Sequence, residues 1–229
     1  MFKVFSFVKD LRDLGYLPEA INNWIALMGW SYDDHTEFFS LQDLIEKFSL
    51  DRLNPSPAAI NFTKFDHFNG LHIRNLAVED LAKRIFPYFK AKGIDADRAT
   101  VEKITPIIQE RLQTLEDAPD LAGFFFDEDV TVNKEDLIAK KTTQEESLMI
   151  LKEIYKVISG LSEINHETAE PPMRDLVEKL GYKPGQIFGI LRVAVTGRMV
   201  SPPLFETMEI IGQEKVNSRI EDAIKLLES

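Results

Sequence analysis

The stretch Lys183–Phe205, KPGQIFGILRVAVTGRMVSPPLF, decides how this chain is read. From Lys179 to Phe205 there is no Asp or Glu, and Lys179, Lys183, Arg192 and Arg198 are the only charges. A chain with 38 acidic residues in 229 would place about four or five of them in a window that long. The apolar run GQIFGILRVAV fits a strand or a helix by length, and it closes at Thr196-Gly197. A loop, RMVSPP, then leads into the apolar LFETMEIIG. Cations without acids, beside a proline-stiffened loop and the aromatic Phe205, suit a polyanion. The same composition also describes a buried helix with two snorkelling arginines.

The window is an exception in an acidic chain, whose net charge as a whole is −11. Any contact with RNA must therefore use local cationic patches against a repulsive background, and indiscriminate DNA or RNA binding is not expected. The 44% hydrophobic and 28% charged content is that of an ordinary globular protein, long enough for one large domain or two ordinary ones. No apolar run reaches membrane-spanning length, and MFKVFSFVKDLRDL lacks the pattern of a secretory signal. With no cysteine, disulfides, thiolate catalysis and Cys-ligated zinc are excluded, and a reducing cytoplasm is the expected location.

The rest reads as helices. Residues 1–14 are amphipathic, and GYLPEAINNWIALMGWS is a helix with Pro18 in its first turn and Gly29 at its end. Ser40 caps LQDLIEKF, with Asp43 completing a capping-box-like pattern. The proline-rich DRLNPSPAAINFT precedes a short helical run at 64–69 that ends near Gly70 or continues into LHIRNL. AVEDLAKRIFPYFKAKG and ATVEKITPIIQERLQTL follow with helical periodicity, the second bent at Pro106. GFFFDEDVT reads as a buried turn. TTQEESLMILKEIYKVISGL is an amphipathic helix capped by Thr143, NHETAEPPMRDLVEKLG ends at Gly181, and GQEKVNSRIEDAIKLLES closes the chain. The expected class is all-α, with a boundary near 75–85 and a weaker seam near 142.

No active site declares itself. His35, His67, His72 and His166 include no i,i+4 pair, so no metal site is expected. GYKPG at 181–185 lacks the GK[ST] end of a phosphate loop, and no GxSxG is present. The carboxylates Asp33-Asp34 and Asp127/Glu128/Asp129 read as solvated turns.

The ordered motifs do resemble a family. Gly15-Tyr16-Leu17-Pro18-Glu19-Ala20, Leu27-Met28-Gly29-Trp30-Ser31, Ser56-Pro57-Ala58, Asn69 and His72-Ile73-Arg74 occur in sequence, followed by Gly185-Gln186, Leu191-Arg192, Thr196-Gly197 and Ser201-Pro202-Pro203-Leu204-Phe205-Glu206. Over nearly all its length the chain resembles the part of bacterial glutamate–tRNA ligases, class I aminoacyl-tRNA synthetases, that lies just downstream of the catalytic core. The family's HxGH-type and KxSK-type motifs are absent; the chain is expected to begin just after the KxSK-type loop. The resemblance thus implies the tRNA-reading half: a helical stem-contact region over 1–80, then a helical-bundle (α-helix cage) anticodon-binding domain over 81–229. It implies a monomer that binds tRNA(Glu), with ATP and magnesium belonging to the parent enzyme's catalytic domain and no cofactor in this chain. The helical reading favours the glutamyl branch over the glutaminyl branch, whose anticodon module is built from β-barrels.

Carried over residue by residue, the resemblance makes Arg192 a contact to an anticodon base and Ser201, Pro202, Pro203, Leu204 and Phe205 the loop that cradles the anticodon, with Leu204 and Phe205 packing on splayed bases or, as the alternative, forming ordinary core at the start of a helix. Glycine also occurs in the family where this chain has Pro203, so a backbone contact there is in question. Arg111 matches the arginine that reads the third anticodon base in discriminating members. Lys64, Asn69 and Arg74 fall in the stem-contact region, where Asn69 has the alternative of cross-linking helices. Two rival readings are a helical protein-interaction module that kept the fold without the RNA role and a self-contained enzyme. The second would show ATP–pyrophosphate exchange by this chain alone, which is not expected.

Overall fold

The computed structural model describes residues 8–54 and 61–229. Residues 1–7 of the amphipathic N-terminal stretch and the Ser56-Pro57-Ala58 turn lie outside the described residues. Among the described residues the regular structure is helical, with one isolated antiparallel bridge between Trp30 and Leu53. The class is all-α, and the polypeptide divides between Asp120 and Leu121 into two compact units.

The first unit contains α1 (Val8–Asp13), α2 (Pro18–Leu27), α3 (Leu41–Lys47), α4 (Phe62–Arg74), α5 (Val78–Ala91) and α6 (Arg98–Ile108), with 3-10 turns at Leu50–Arg52 and Gln109–Arg111; the division falls within α7 (Asp117–Ala122). Pro18 starts α2 where a missing N–H costs nothing. At α3, Ser40 Oγ accepts from the Asp43 amide at 3.0 Å while the Asp43 carboxylate accepts from the Ser40 amide at 3.1 Å. The run expected at 64–69 is longer: Asn61 Oδ1 caps it by accepting from the Lys64 amide at 3.1 Å, and the helix continues through Gly70 to Arg74. Two aromatic clusters fill this part. Tyr16, Trp24 and Phe65 stack, with Tyr16 and Phe65 centroids 4.4 Å apart, and Trp30 meets Phe39 edge-on at 5.3 Å. Such pairs contribute about 0.5–1.5 kcal/mol each beyond area burial.

The boundary expected near 80 lies inside this unit. There the buried Gln109 amide donates to the carbonyls of Ile73 (3.0 Å) and Leu76 (2.9 Å), tying the end of α4 to the turn after α6. That turn begins three residues beyond Pro106, the predicted site of distortion.

The second unit holds 3-10 turns at Gly123–Phe125 and Lys134–Leu137, then α8 (Gln144–Ser159), α9 (His166–Leu180), α10 (Pro184–Thr196), α11 (Leu204–Ile211) and α12 (Gln213–Glu228). GFFFDEDVT is the expected buried turn, with Phe124 and Phe125 inside. Thr143 and Glu146 form a reciprocal cap on α8, and Gly181 ends α9 in the left-handed conformation. The ambiguous run resolves as helix α10, with Ile187, Ile190, Leu191, Val193, Ala194 and Val195 buried. A strand would need neighbouring strands to satisfy its backbone, and none exists among the described residues.

One core residue departs from the apolar pattern. Arg219 lies on the buried stripe of α12 with Val216, Ile220, Ala223 and Leu227. Its guanidinium donates to the carbonyls of Val195 (2.8 Å), Phe124 (2.9 Å) and Asp127 (2.7 Å), so it ties the end of α10 to the 124–127 turn. Burial lowers its pKa, opposed by Asp127 and Asp129.

Candidate nucleic-acid interface

In the second unit the acid-free window forms α10 and the loop that follows it. Thr196 Oγ1 donates to the Arg192 carbonyl at 2.7 Å and accepts from the Arg198 amide at 3.2 Å. Gly197 then turns the chain at φ 68°, and a Cβ there would stand 2.5 Å from the Thr131 carbonyl oxygen. No other residue fits without moving that backbone. Arg192, half-buried on α10, reaches back across the loop: its Nη1 donates to the carbonyls of Pro202 (3.0 Å) and Ser201 (3.3 Å) and to Ser201 Oγ. The loop is thus fixed at its start by Gly197 and at its end by Arg192. Between them Met199 and Val200 stand 61% and 74% exposed.

This geometry corrects part of the sequence reading. Leu204 and Phe205 do not offer faces to a base: they are 6% and 8% exposed, and Phe205 meets Phe188 and His166 edge-on at 5.9 and 5.8 Å. As the first residues of α11 they are core, because the loop's return points the start of that helix inward. Ser201 and Pro202 are buried too, and of the five loop residues only Pro203 is exposed. Arg192 does not snorkel along its helix; it braces the loop.

Beside the loop, α10 borders an open cleft of ≈ 550 Å³, with Gly185, Gly189, Ile190 and Val193 on one side, Ile138 and Ala139 on the other, and Met199 at the rim. Lys140, Lys141 and Lys183 line it, with Asp136 as the one acid among the lining residues. Lys152, Lys156, Lys179 and Lys225 of the same unit each hold a carboxylate. The three cleft lysines are exposed and have no carboxylate partner within 4.0 Å among the described residues.

In the first unit Arg111 ends the 3-10 turn after α6, exposed and with no ion pair among the described residues. The turn is held from below by Gln109, described above. Asn69 is fully buried: its Oδ1 accepts from the Leu17 amide at 2.8 Å, and its Nδ2 donates to the carbonyls of Gln113 (2.6 Å) and Gly15 (3.4 Å). It has no surface left for an RNA phosphate, so its expected stem contact is replaced by cross-linking. Arg74 is half-buried, 4.0 Å from Glu110, and Lys64 is exposed but 2.6 Å from Glu37.

No group of histidines and carboxylates suited to a metal ion occurs among the described residues. His72 is buried, its Nε2 3.1 Å from Asn23 Oδ1, which also accepts from the Phe39 amide at 2.9 Å. Because that oxygen is an acceptor, His72 carries its proton on Nε2. Burial lowers the pKa of His72, and the Glu19 carboxylate opposes that shift.

The model of the anticodon binding domain matches residues 80–224, more than half of the chain. The chain belongs to the anticodon-binding domain family. A second model, of the catalytic domain of class I tRNA synthetases (E and Q), matches residues 2–67. Relatives of this chain include the glutamate–tRNA ligases of Chloroflexus aurantiacus, 41% identical across 95% of this chain and 45% of theirs, and of Dehalococcoides mccartyi, 40% identical across 95% and 46%. The chain therefore spans somewhat under half the length of the curated relatives it matches. Among solved structures, a glutamate tRNA ligase from Elizabethkingia meningosepticum in complex with its amino acid superposes with a TM-score of 0.82 at 26% identity, over 94% of this chain and 42% of that one. No helix among the described residues is long and apolar enough to cross a membrane.

Sequence reasoning passed over two features of this chain. Arg219 had a readable signal, a guanidinium in phase with the apolar stripe of α12. Lys140-Lys141 stand side by side in sequence, but their convergence with Lys183 depends on how the chain packs.

Proposed function

We propose that this chain binds a glutamate tRNA, with residues before about 80 meeting the inner corner of the folded RNA and residues beyond reading its anticodon. The tRNA is thereby positioned for ATP-dependent glutamylation by a catalytic domain that carries the HxGH-type and KxSK-type motifs missing here, and ATP and magnesium bind there. The observation that carries this reading is the loop braced by Arg192 within the stretch matched by the anticodon-binding model. A loop held by its own arginine loses little freedom when RNA arrives. Arg192 sets the loop and presents its half-exposed edge to a base, and Arg111 reads the third anticodon base. An exposed guanidinium can donate in a fork to a base edge, worth about 1–3 kcal/mol of discrimination.

The test is titration with glutamate tRNA and with the same tRNA altered at the third anticodon base, at low and moderate salt. The wild-type chain is expected to prefer the unaltered tRNA by roughly tenfold or more. Arg111→Ala abolishes that preference while keeping most of the affinity, and Arg192→Ala weakens both complexes. Equal binding of the two tRNAs by the wild-type chain, or none, overturns the proposal.

One observation favours a second reading, a protein-interaction module: Leu41, Ile45, Phe48, Leu50 and Leu53 all stand exposed near α3. Salt-independent binding to a protein, with no response to tRNA, is its signature, whereas RNA affinity falls steeply with salt.

A further inference from the structure

We infer that the cleft between α10 and the 138–141 segment is a track for the sugar–phosphate backbone of the single-stranded RNA next to the bases that the Arg192 loop reads. This rests on the anticodon-reading proposal and adds to it a second set of residues with a different task.

Three observations point the same way. In a chain of net charge −11, Lys140, Lys141 and Lys183 converge on one cleft without a carboxylate partner among the described residues, whereas four other lysines of the unit hold one. Ammonium groups left unneutralised raise the local concentration of anions. The cleft wall is also open to close approach: Gly185 and Gly189 lie one turn apart on α10, and a Cβ at either would find no atom within 4 Å. Finally, the cleft shares Met199 with the loop that Arg192 holds, so a strand leaving the loop meets the cleft at that rim.

Lysines act as point charges and carry no base code, so this set supplies affinity and Arg111 and Arg192 supply discrimination. Two fixed features hold the rim. Gln186 Nε2 donates to the Lys140 carbonyl at 2.8 Å, joining the two walls, and Lys141 has φ 69°.

The experiment compares the wild-type chain with the triple variant K140A/K141A/K183A, and separately with Gly189→Leu. Both tRNAs of the previous test are titrated over a salt series, and each variant's melting is followed by circular dichroism. In the triple variant, affinity is expected to fall at least tenfold at low salt. The slope of log K against log salt should become shallower by about 0.7 for each lost single-strand phosphate contact, roughly 2 in all. The preference for the unaltered anticodon should stay at its wild-type value. Gly189→Leu keeps the helix, since leucine is the better helix former, but fills the cleft and should weaken binding about fivefold or more by the same lost approach.

If the wild-type chain discriminates anticodons while the triple variant keeps its affinity and slope, this inference falls and the anticodon reading stands. Loss of discrimination in the triple variant also overturns it, because the lysines would then be reading bases. A wild-type chain that binds neither tRNA, or both equally, removes the anticodon reading and this inference with it.

Discussion

Arg111 rests on a scaffold, whereas Arg192 is part of one. In the first unit, neutral buried amides do the fastening: Asn69 joins the 15–17 turn, α4 and the 113 backbone, and Gln109 joins α4 to the turn that carries Arg111. The arginine is left exposed. In the second unit, guanidinium groups do the fastening, Arg219 inside and Arg192 at the loop. The difference teaches that the same residue type at two candidate contacts need not respond alike to mutation. Removing Arg111 takes away an exposed cation and leaves its turn in place, whereas removing Arg192 releases a loop.

The largest effect that tests this contrast is expected at Arg219. Arg219→Ala leaves two buried carbonyls and a partly buried one without this donor and should destabilise the second unit by about 3–4 kcal/mol. Hydrogen exchange resolved by residue should show the loss in α8 to α12 and not in α2 to α6. A cost below about 1 kcal/mol would mean that guanidinium fastening is incidental. Asn69→Ala comes next, at about 2 kcal/mol in the first unit. Unfolding in urea measures the cost, and the third-base discrimination proposed for Arg111 should fall with it, since the segment following Arg111 loses its anchor at Gln113.

Asn69 also marks where sequence reading ends. Local chemistry was legible: the reciprocal caps of Ser40 with Asp43 and Thr143 with Glu146 need only residues three apart, and Gly181 and Gly197 end helices by their own backbone freedom. Asn69 finds its partners 44 to 54 residues away, and no local pattern encodes that. The choice between base packing and core burial for Leu204 and Phe205 stayed open for the same reason. A proline-stiffened loop predicts its own rigidity, but which way its end faces is decided by Phe188 and His166 on other helices. The run 185–195 stayed ambiguous because a segment with only Gln186 and Arg192 breaking its apolar and glycine residues has too little periodicity to display. The resemblance supplied what residue chemistry alone could not, the link between Arg192 and an anticodon.

The smallest expected effect is a pH response confined to the first unit. His72 has a lowered pKa in the fold, so the unfolded chain binds the proton more readily and stability rises with pH. Its contribution is complete above the ordinary histidine value of about 6.5 and is lost as pH falls through the folded pKa. Hydrogen exchange near α2 and α4 should quicken across that window in the wild-type chain and much less in His72→Gln, whose amide still donates to Asn23. An equal response in the second unit would break the contrast between the two.

The absence of cysteine makes the exposed loop tip individually addressable. Met199→Cys would introduce the chain's one thiol, at a position 61% exposed in the wild type and with no role in holding the fold. A fluorophore or photocrosslinker attached there samples both the braced loop and the lysine-lined cleft. Occupancy of the cleft then becomes an optical signal, read in real time and without labelling the RNA.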